Sequence, residues 1–560
     1  MRRADGLTAT VAAAIVLGLV VYVRRVVDPR EPITWSYQAM ALCLVIAAVA
    51  GRALVGPRTA SEAGRFRWPR AAALPIVFLA AAAPYVHTLA VGFLSDDYGL
   101  AYAAEQAGGP LDALGSGAFV TFYRPLTMLV WWLGAKLWSG APLGYHVLSI
   151  MLHGANAILV YAVARRLIGS SYGALFAGLL FAVHPIHVEP VTWVCCSSDL
   201  LCTGFALASL ALLEAHLARG SQGRHVGTLA AALLAFLLAL LSKEAALALP
   251  GFVVLRAALL PSGDVRRRVL RLGGAYAMVL AGYLAWRLAV FGGLGGYRLP
   301  LTWWNTAFPS APLLMIGDFL FPVHRSLFAE QLGPSLWWVG LAAMGAGALW
   351  WVRGLEGVPA RRLWLWLGYV FIMATPTWLF LSAASGFLEW SRLSYLPTVG
   401  LAWLFGDVCA GRGAGWRRSG AVAAMIVAGA AALTVWYVTP WREAGELSSQ
   451  VVAEGRSLIE QLPASKGDPV LFVKDLPESH RGAPVFSNCF PQALNLDRGR
   501  ALPIRLVSER PDVEKVHPEV IDHWVLQEGE YLAAWEEESS QMTVVRAGCL
   551  PPARSGSTSE

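Results

Sequence analysis

Ionisable residues in or beside long apolar runs come first, because hydrocarbon makes a charge costly and its presence purposeful. Asp96 and Asp97 directly follow the apolar run 71–91. A carboxylate pair at an interface suits a general base or a metal ligand, and mutual repulsion can raise one pKa. It also suits a helix cap beside a solvated loop. His184, His187 and Glu189 lie in HPIHVEP. His-x-x-His plus Glu could hold a metal, but Pro185 and Pro190 break the register that would aim all three at one point, so interfacial hydrogen bonding is favoured. Asp199 falls inside an apolar run, a functional candidate weighed against a contact with Ser197 or Ser198. Lys243, in Ser242-Lys243-Glu244, sits away from every arginine cluster and suits an anionic group such as a phosphate, with a Lys243–Glu244 surface pair as the alternative. Arg124 and Arg392 complete the set. Three cations and the acidic pair at one external cleft predict a phosphate-bearing substrate meeting a general base.

The elements that must position these residues are mostly membrane spans. The 560 residues are 56% hydrophobic and 14% charged, with a mean hydropathy of +0.53. A soluble chain carries about a quarter charged residues, and this hydropathy also excludes disordered, collagen-like and coiled-coil chains. Charge divides the sequence. Residues 1–440 hold 32 of the 44 Lys+Arg and 18 of the 37 Asp+Glu, a net +14; residues 441–560 hold the other 12 and 19, a net −7. A polytopic membrane protein with a soluble C-terminal domain is predicted.

Runs of about 17–25 apolar residues can cross the hydrocarbon. They occur at about 7–23, 37–55, 71–91, 143–166, 171–186, 192–216, 226–241, 245–260, 270–291, 335–352, 363–381, 392–410 and 420–438, thirteen in all. Arg2 and Arg3 place the N-terminus in the cytoplasm. The clusters Arg52–Arg70, Arg165–Arg166, Arg219–Arg224, Arg266–Arg268, Arg361–Arg362 and Arg417–Arg418 then fall on the same side; only Arg24, Arg25 and Arg30 fall outside. Thirteen crossings put the C-terminal domain outside. Pro125–Trp138 is apolar but short, and counting it would invert every later cluster; it reads as an interfacial helix. Segments 92–142 and 292–334 become long external loops. The first apolar run lacks a small-residue cleavage site and reads as a span rather than a signal peptide.

Residues 441–560 read as an amphipathic helix followed by β-like runs (PVLFV, IRLV, HWVLQ, QMTVV) between Pro and Gly turns. Cys489 and Cys549 both lie there, so one disulfide is compatible. The seven cysteines show no zinc-type spacing. No contiguous basic stripe marks a nucleic-acid face, so nucleic acid is excluded as a partner.

In order along the chain stand FLSDDYGL, FYRPLTMLVWWLGAKLWSG, GYHVLSIMLHGANAILVYAVARRL, FAVHPIHVEPVTWV with DLL, LLSKEAALALP and SRLSYLP. This ordered set, over about residues 71–405, resembles the GT-C superfamily of integral-membrane glycosyltransferases. It is most similar to the branch of transmembrane–tetratricopeptide protein O-mannosyltransferases and their bacterial relatives. The resemblance implies an all-α polytopic membrane protein, a GT-C-like bundle of about 13 transmembrane helices, with a small external α+β C-terminal domain. Residues 1–60 would add two N-terminal helices, 71–440 would form the catalytic membrane domain, and 441–560 the extracytoplasmic domain. It further implies a polyprenyl-phosphate-sugar donor and inverting transfer, with Asp96 and Asp97 as the acidic catalytic pair and Arg124, Lys243 and Arg392 on the donor phosphate. His184, His187, Glu189, Asp199 and Glu244 are further cleft candidates. Ser197 stands where relatives usually carry Arg, Glu389 and Arg392 are not adjacent as in the usual motif, and no 34-residue period follows residue 441.

The expected activity is transfer of a mannose-like hexose to a hydroxyl of a protein, glycan or lipid acceptor, at the outer face of a bacterial inner membrane. No cofactor is required, and a divalent metal is compatible but not favoured. A transporter or flippase of lipid-linked sugars is the alternative; it needs no acid–base group and should show repeated halves, which the sequence lacks. A receptor binding ligand through 441–560 would leave the buried Lys243 and Asp199 unexplained.

Overall fold

The computed structural model describes residues 70–115, 122–138, 140–218, 226–291, 311–320, 358–377, 390–410, 416–462, 469–497, 501–507, 515–516, 526–527 and 529–547, with positions 322, 324 and 327. The predicted spans at about 7–23, 37–55 and 335–352, and hence domain 1–60, lie outside these residues, as does most of loop 292–334. The chain divides into two compact units.

The first unit contains Met1–Leu89, Leu114–Leu129 and Tyr145–Thr439. Its described part is helical because its runs are rich in Leu and Ala and are punctuated by Gly, Pro and Ser at their ends. Ser170 caps the helix Ser171–Val183 by accepting from Gly173 N–H at 3.2 Å. Pro185 then stops it, and the chain bends by 49° before Pro185–Thr192. Small residues set the closest packing. A Cβ on Gly173 would lie 2.4 Å from the Gly406 carbonyl oxygen, and one on Gly406 2.4 Å from that of Gly173, so Ser171–Val183 and Thr398–Ala410 touch backbone to backbone. Ser209 on Ser197–Ala218 donates to the Ala232 carbonyl of Val226–Ser242 at 2.7 Å and bonds the Tyr276 hydroxyl of Asp264–Phe291 at 2.6 Å, linking three helices.

Among the described residues five helices are long and apolar enough to cross a membrane: Ala72–Ala90, Pro142–Leu167, Val194–Ala218, Asp264–Val290 and Gly420–Gln461. The bent pair makes a sixth if taken as one span, while Val226–Ser242 and Thr398–Ala410 are apolar but shorter. Several predicted spans are thus composite, as where 245–260 splits into the 3₁₀ turn Glu244–Ala248 and the helix Leu249–Leu259.

The second unit contains Ala90–Ala113, Val130–Gly144 and Pro440–Glu560. Its sheet has five strands: β1 Val470–Lys474, β2 Ile504–Val507, β3 Lys515–Val516, β4 Glu530–Glu536 and β5 Gln541–Ala547. Their order is β3-β2-β1-β4-β5, parallel except for β5, which runs antiparallel to β4. The expected strand at HWVLQ lies mostly outside the described residues, of which Leu526 and Gln527 are in no strand, and EYLAAWE forms β4. β4 is buried from Tyr531 to Trp535, so it lacks the alternation by which a half-exposed strand is recognised. Helix Thr439–Gln461 buries Trp441, Ala444, Gly445, Ser448, Val451, Val452 and Gly455, the three-and-four spacing of one face. Segment 92–142 holds the helix expected at Pro125–Trp138 and two more that the loop reading did not foresee, Asp96–Gln106 and Pro110–Gly115.

Candidate functional site

In the first unit, six of the sequence-predicted residues come together as alternating charges. Arg124, one residue before the helix Pro125–Trp138, donates through Nε to Glu244 Oε2 at 3.1 Å and through Nη2 to Oε1 at 2.5 Å. Next to Glu244, Lys243 directs Nζ at both oxygens of Asp199, at 2.7 and 2.6 Å. In place of the alternative Lys243–Glu244 surface pair, each of these two residues has a partner distant in sequence. Asp199 sits in the first turn of Ser197–Ala218, where the helix dipole favours a carboxylate. Arg392 pairs with Glu189, whose Oε2 further accepts from Arg392 N–H at 2.8 Å and from the Ser391 hydroxyl at 3.1 Å. The three pairs are Arg124–Glu244, Lys243–Asp199 and Arg392–Glu189, a ladder of three charges of each sign.

Burial differs along this ladder. The Lys243 and Asp199 side chains are 7% and 8% exposed, whereas those of Arg124 and Arg392 are 24% and 18% exposed. Burial alone would raise the pKa of Glu244, but the Arg124 guanidinium overrides it and holds the carboxyl down at about 2. Arg392 lies between two indoles, its guanidinium carbon 4.9 Å from the Trp193 ring centre and 4.5 Å from that of Trp390. Aromatic faces of this kind hold a planar cation while leaving its edge for polar partners. Trp390 itself has a φ of 66°, an unusual conformation for a bulky side chain, two residues before Arg392.

His184 and His187 point into the bundle. His187 bonds the Phe181 carbonyl through Nδ1 at 2.8 Å and Thr398 Oγ1 through Nε2 at 3.1 Å; His184 Nε2 bonds the Phe319 carbonyl at 2.9 Å. His187 thus ties a carbonyl near the end of Ser171–Val183, His184 one near the end of the separate helix Ala311–Leu320, and Glu189 turns away to Arg392. Among the described residues no group of three or more His, Cys, Asp or Glu side chains is arranged to hold a metal ion.

Sequence reasoning passed over a polar stripe on Pro142–Leu167. His146, Ser149, His153 and Asn156 are all buried, and their spacing of three, four and three was its available signal. His153 Nδ1 bonds the Tyr395 hydroxyl at 2.7 Å, and Asn156 Nδ2 donates to that hydroxyl at 3.2 Å and to the Leu200 carbonyl at 2.9 Å. These contacts join the turns that carry Asp199 and Arg392.

Asp96 and Asp97 belong to the second unit, and their environments differ. Asp97 is 1% exposed and its Oδ2 accepts from Leu94 N–H at 2.9 Å. Asp96, half-buried, accepts from Asn488 Nδ2 at 3.3 Å. Ser95, before them, has φ 40° and ψ −109°. Tyr98 stacks on Phe486 with ring centres 5.7 Å apart, and burial pushes its hydroxyl up to about 12.

Such an arrangement defines a class: a multi-pass helical membrane protein with a buried, charge-balanced ladder and a separate unit carrying an acidic turn. Comparison with known proteins is consistent with the sequence resemblance. The chain is 36% identical over 177 residues to the protein O-mannosyl-transferase Tmtc1 of Drosophila melanogaster, covering 29% of this chain and 20% of that protein. It is 37% identical over 139 residues to the human protein O-mannosyl-transferase TMTC4, covering 22% and 19%. The match thus spans a fifth or less of these relatives' own length. No family model matches. Among solved structures, ArnT from Cupriavidus metallidurans in the apo state aligns with a TM-score of 0.45 and 15% identity over 83% of this chain and 93% of that one. The Archaeoglobus fulgidus oligosaccharyltransferase in its apo form aligns at 0.43 and 13%, over 72% and 62%.

Proposed function

We propose that this chain transfers a mannose-like hexose from a polyprenyl-phosphate-sugar donor to an acceptor hydroxyl on the extracytoplasmic face, with inversion. The charge ladder carries the reading, and the similarity to protein O-mannosyl-transferases supports both the sugar and a protein hydroxyl as acceptor. The donor brings its own leaving group, so the protein must bind a phosphate, orient the acceptor and take up its proton.

The two arginines suit the phosphate. Each is partly exposed, and a guanidinium has five N–H donors, more than one carboxylate engages. Lys243, bidentate on Asp199 and more deeply buried, fixes the middle of the ladder. In the transfer, the acceptor oxygen forms a bond to the anomeric carbon as the bond to the phosphate oxygen breaks. The electron pair stays on the polyprenyl phosphate, where Arg124 and Arg392 neutralise it, and the acceptor proton goes to Asp96. The burial of Asp97 and its bond to Leu94 N–H favour Asp96 as the base and Asp97 as the residue that shapes the turn. This chemistry requires no cofactor.

The test is release of polyprenyl phosphate and labelling of acceptor by purified protein supplied with labelled donor. A positioned base contributes about 10²–10⁴-fold, so Asp96→Asn should lower turnover by about that factor with little change in donor affinity. Near-native transfer in both Asp96→Asn and Asp97→Asn would overturn the base role. Donor crossing a proteoliposome bilayer without release of polyprenyl phosphate would favour a flippase.

A further inference from the structure

We infer that segment 485–488, between β1 and the helix Phe490–Asn495, is a clamp that positions the acidic turn, with Asn488 the positioning residue for the Asp96 carboxylate. This rests on the proposed base role of Asp96. All of the groups concerned lie in the second unit.

The first observation is the backbone of Ser95. A φ of 40° with ψ −109° is a sparsely populated conformation for a residue with a side chain, and it persists only where surrounding contacts impose it. Ser95 is fully buried and makes three hydrogen bonds with this segment. Its N–H donates to the Val485 carbonyl at 2.9 Å, its hydroxyl bonds that of Ser487 at 2.8 Å, and that same hydroxyl accepts from Asn488 N–H at 3.2 Å. The next residue in the chain is Asp96.

The second observation is the side chain of Asn488, which donates from Nδ2 to Asp96 Oδ1 at 3.3 Å. An amide orients a carboxylate without competing for its proton, since the amide does not titrate. A contact of this length in the unliganded protein can tighten when substrate binds. The clamp is itself braced. Phe486 stacks on Tyr98, whose hydroxyl is 3.1 Å from that of Ser448, and Ser448 donates to the Phe93 carbonyl at 2.8 Å. The acidic turn is thus gripped on both flanks by residues from beyond position 440, which gives the C-terminal region a part in the chemistry apart from any role in recognising acceptors.

The experiment measures kcat, donor KM and melting temperature for the purified full-length protein and its variants. Asn488→Ala should lower kcat about tenfold, as expected for loss of a hydrogen bond to a charged group, with donor KM within about twofold of native. Asn488→Asp, which sets a carboxylate against a carboxylate at equal volume, should lower kcat further. Asn488→His, whose Nδ1–H reaches the same place, should recover most of the loss. Ser95→Gly releases both the backbone conformation and the hydroxyl contacts, so kcat should fall while the melting temperature holds or rises. Native kcat in Asn488→Ala and Ser95→Gly, beside an impaired Asp96→Asn, would overturn the clamp and leave the base role standing. Loss of kcat only in step with melting temperature, equal across the three Asn488 variants, would also overturn it. Native turnover in Asp96→Asn would instead remove the reading on which the clamp rests.

Discussion

Lys243 and Asp199 pair at 2.6 Å with both side chains under a tenth exposed, so each is the condition of the other's charge. Removing one partner of a buried pair strands a charge, at a cost of about 3–5 kcal/mol, whereas replacing both by apolar groups is often neutral or stabilising. Lys243→Met should therefore lower the melting temperature of the detergent-solubilised protein markedly, and Lys243→Met with Asp199→Leu should recover most of it. Failure of the double variant to recover would show that the pair holds more than itself. Arg124→Ala and Arg392→Ala should act on binding, raising the donor dissociation constant by about 1.5–3 kcal/mol, the worth of a charge-assisted contact. Equilibrium binding of labelled donor to each variant checks this. The chemistry of these residues was legible in the sequence, because a lone Lys or Asp in an apolar run is conspicuous. Their pairings were not, because the partners lie 44, 120 and 203 residues apart. Proximity in sequence suggested Lys243 with Glu244, and folding gave each a more distant partner. Asn488, an uncharged residue in a region read as soluble, carried no signal at all.

Helices were easier to read than the breaks between them. Pro142–Leu167 and Val226–Ser242 match their apolar runs within a residue or two, since length and hydropathy suffice to define an uninterrupted span. The breaks at HPIHVEP, SKE and SRLS were visible as motifs, yet a linear run cannot show that the first and third meet through Glu189 and Arg392 while Lys243 pairs with Asp199. Where helices meet closely, glycine is the controlling residue. Leucine at Gly406 would drive its Cβ to 2.4 Å from the Gly173 carbonyl oxygen and force the two helices apart. Gly406→Leu should abolish stable expression or cost several degrees of melting temperature. Gly274→Ala is the counterpart: it sits inside Asp264–Phe291 with no atom within 4 Å of an added Cβ. It should stabilise the protein by about 0.5–1 kcal/mol through the helix preference of alanine.

At the scale of the molecule, the arginine clusters predict that residues beyond 440 lie outside the cytoplasm. A reporter fused after residue 440 should be active only on the extracytoplasmic side, and a cysteine replacing Ser116 should react with an impermeant reagent; cytoplasmic activity of the fusion would invert the topology. The change of net charge at residue 441 falls beside a boundary between the two compact units. What the charge could not reveal is that the compact unit there also takes in Ala90–Ala113 and Val130–Gly144. That membership has a consequence for biogenesis. Ser95 and Ser487, bonded in the finished protein, are 392 residues apart. At about 5–20 residues synthesised per second, the acidic turn emerges roughly 20–80 s before its clamp exists. Throughout that interval the chain must insert its intervening helices while Ser95, by itself, has no reason to hold a left-handed backbone. A later stretch of chain thus completes a structure begun hundreds of residues before it, and a nascent chain arrested before residue 440 should present segment 92–142 to protease in a form that the finished protein never shows.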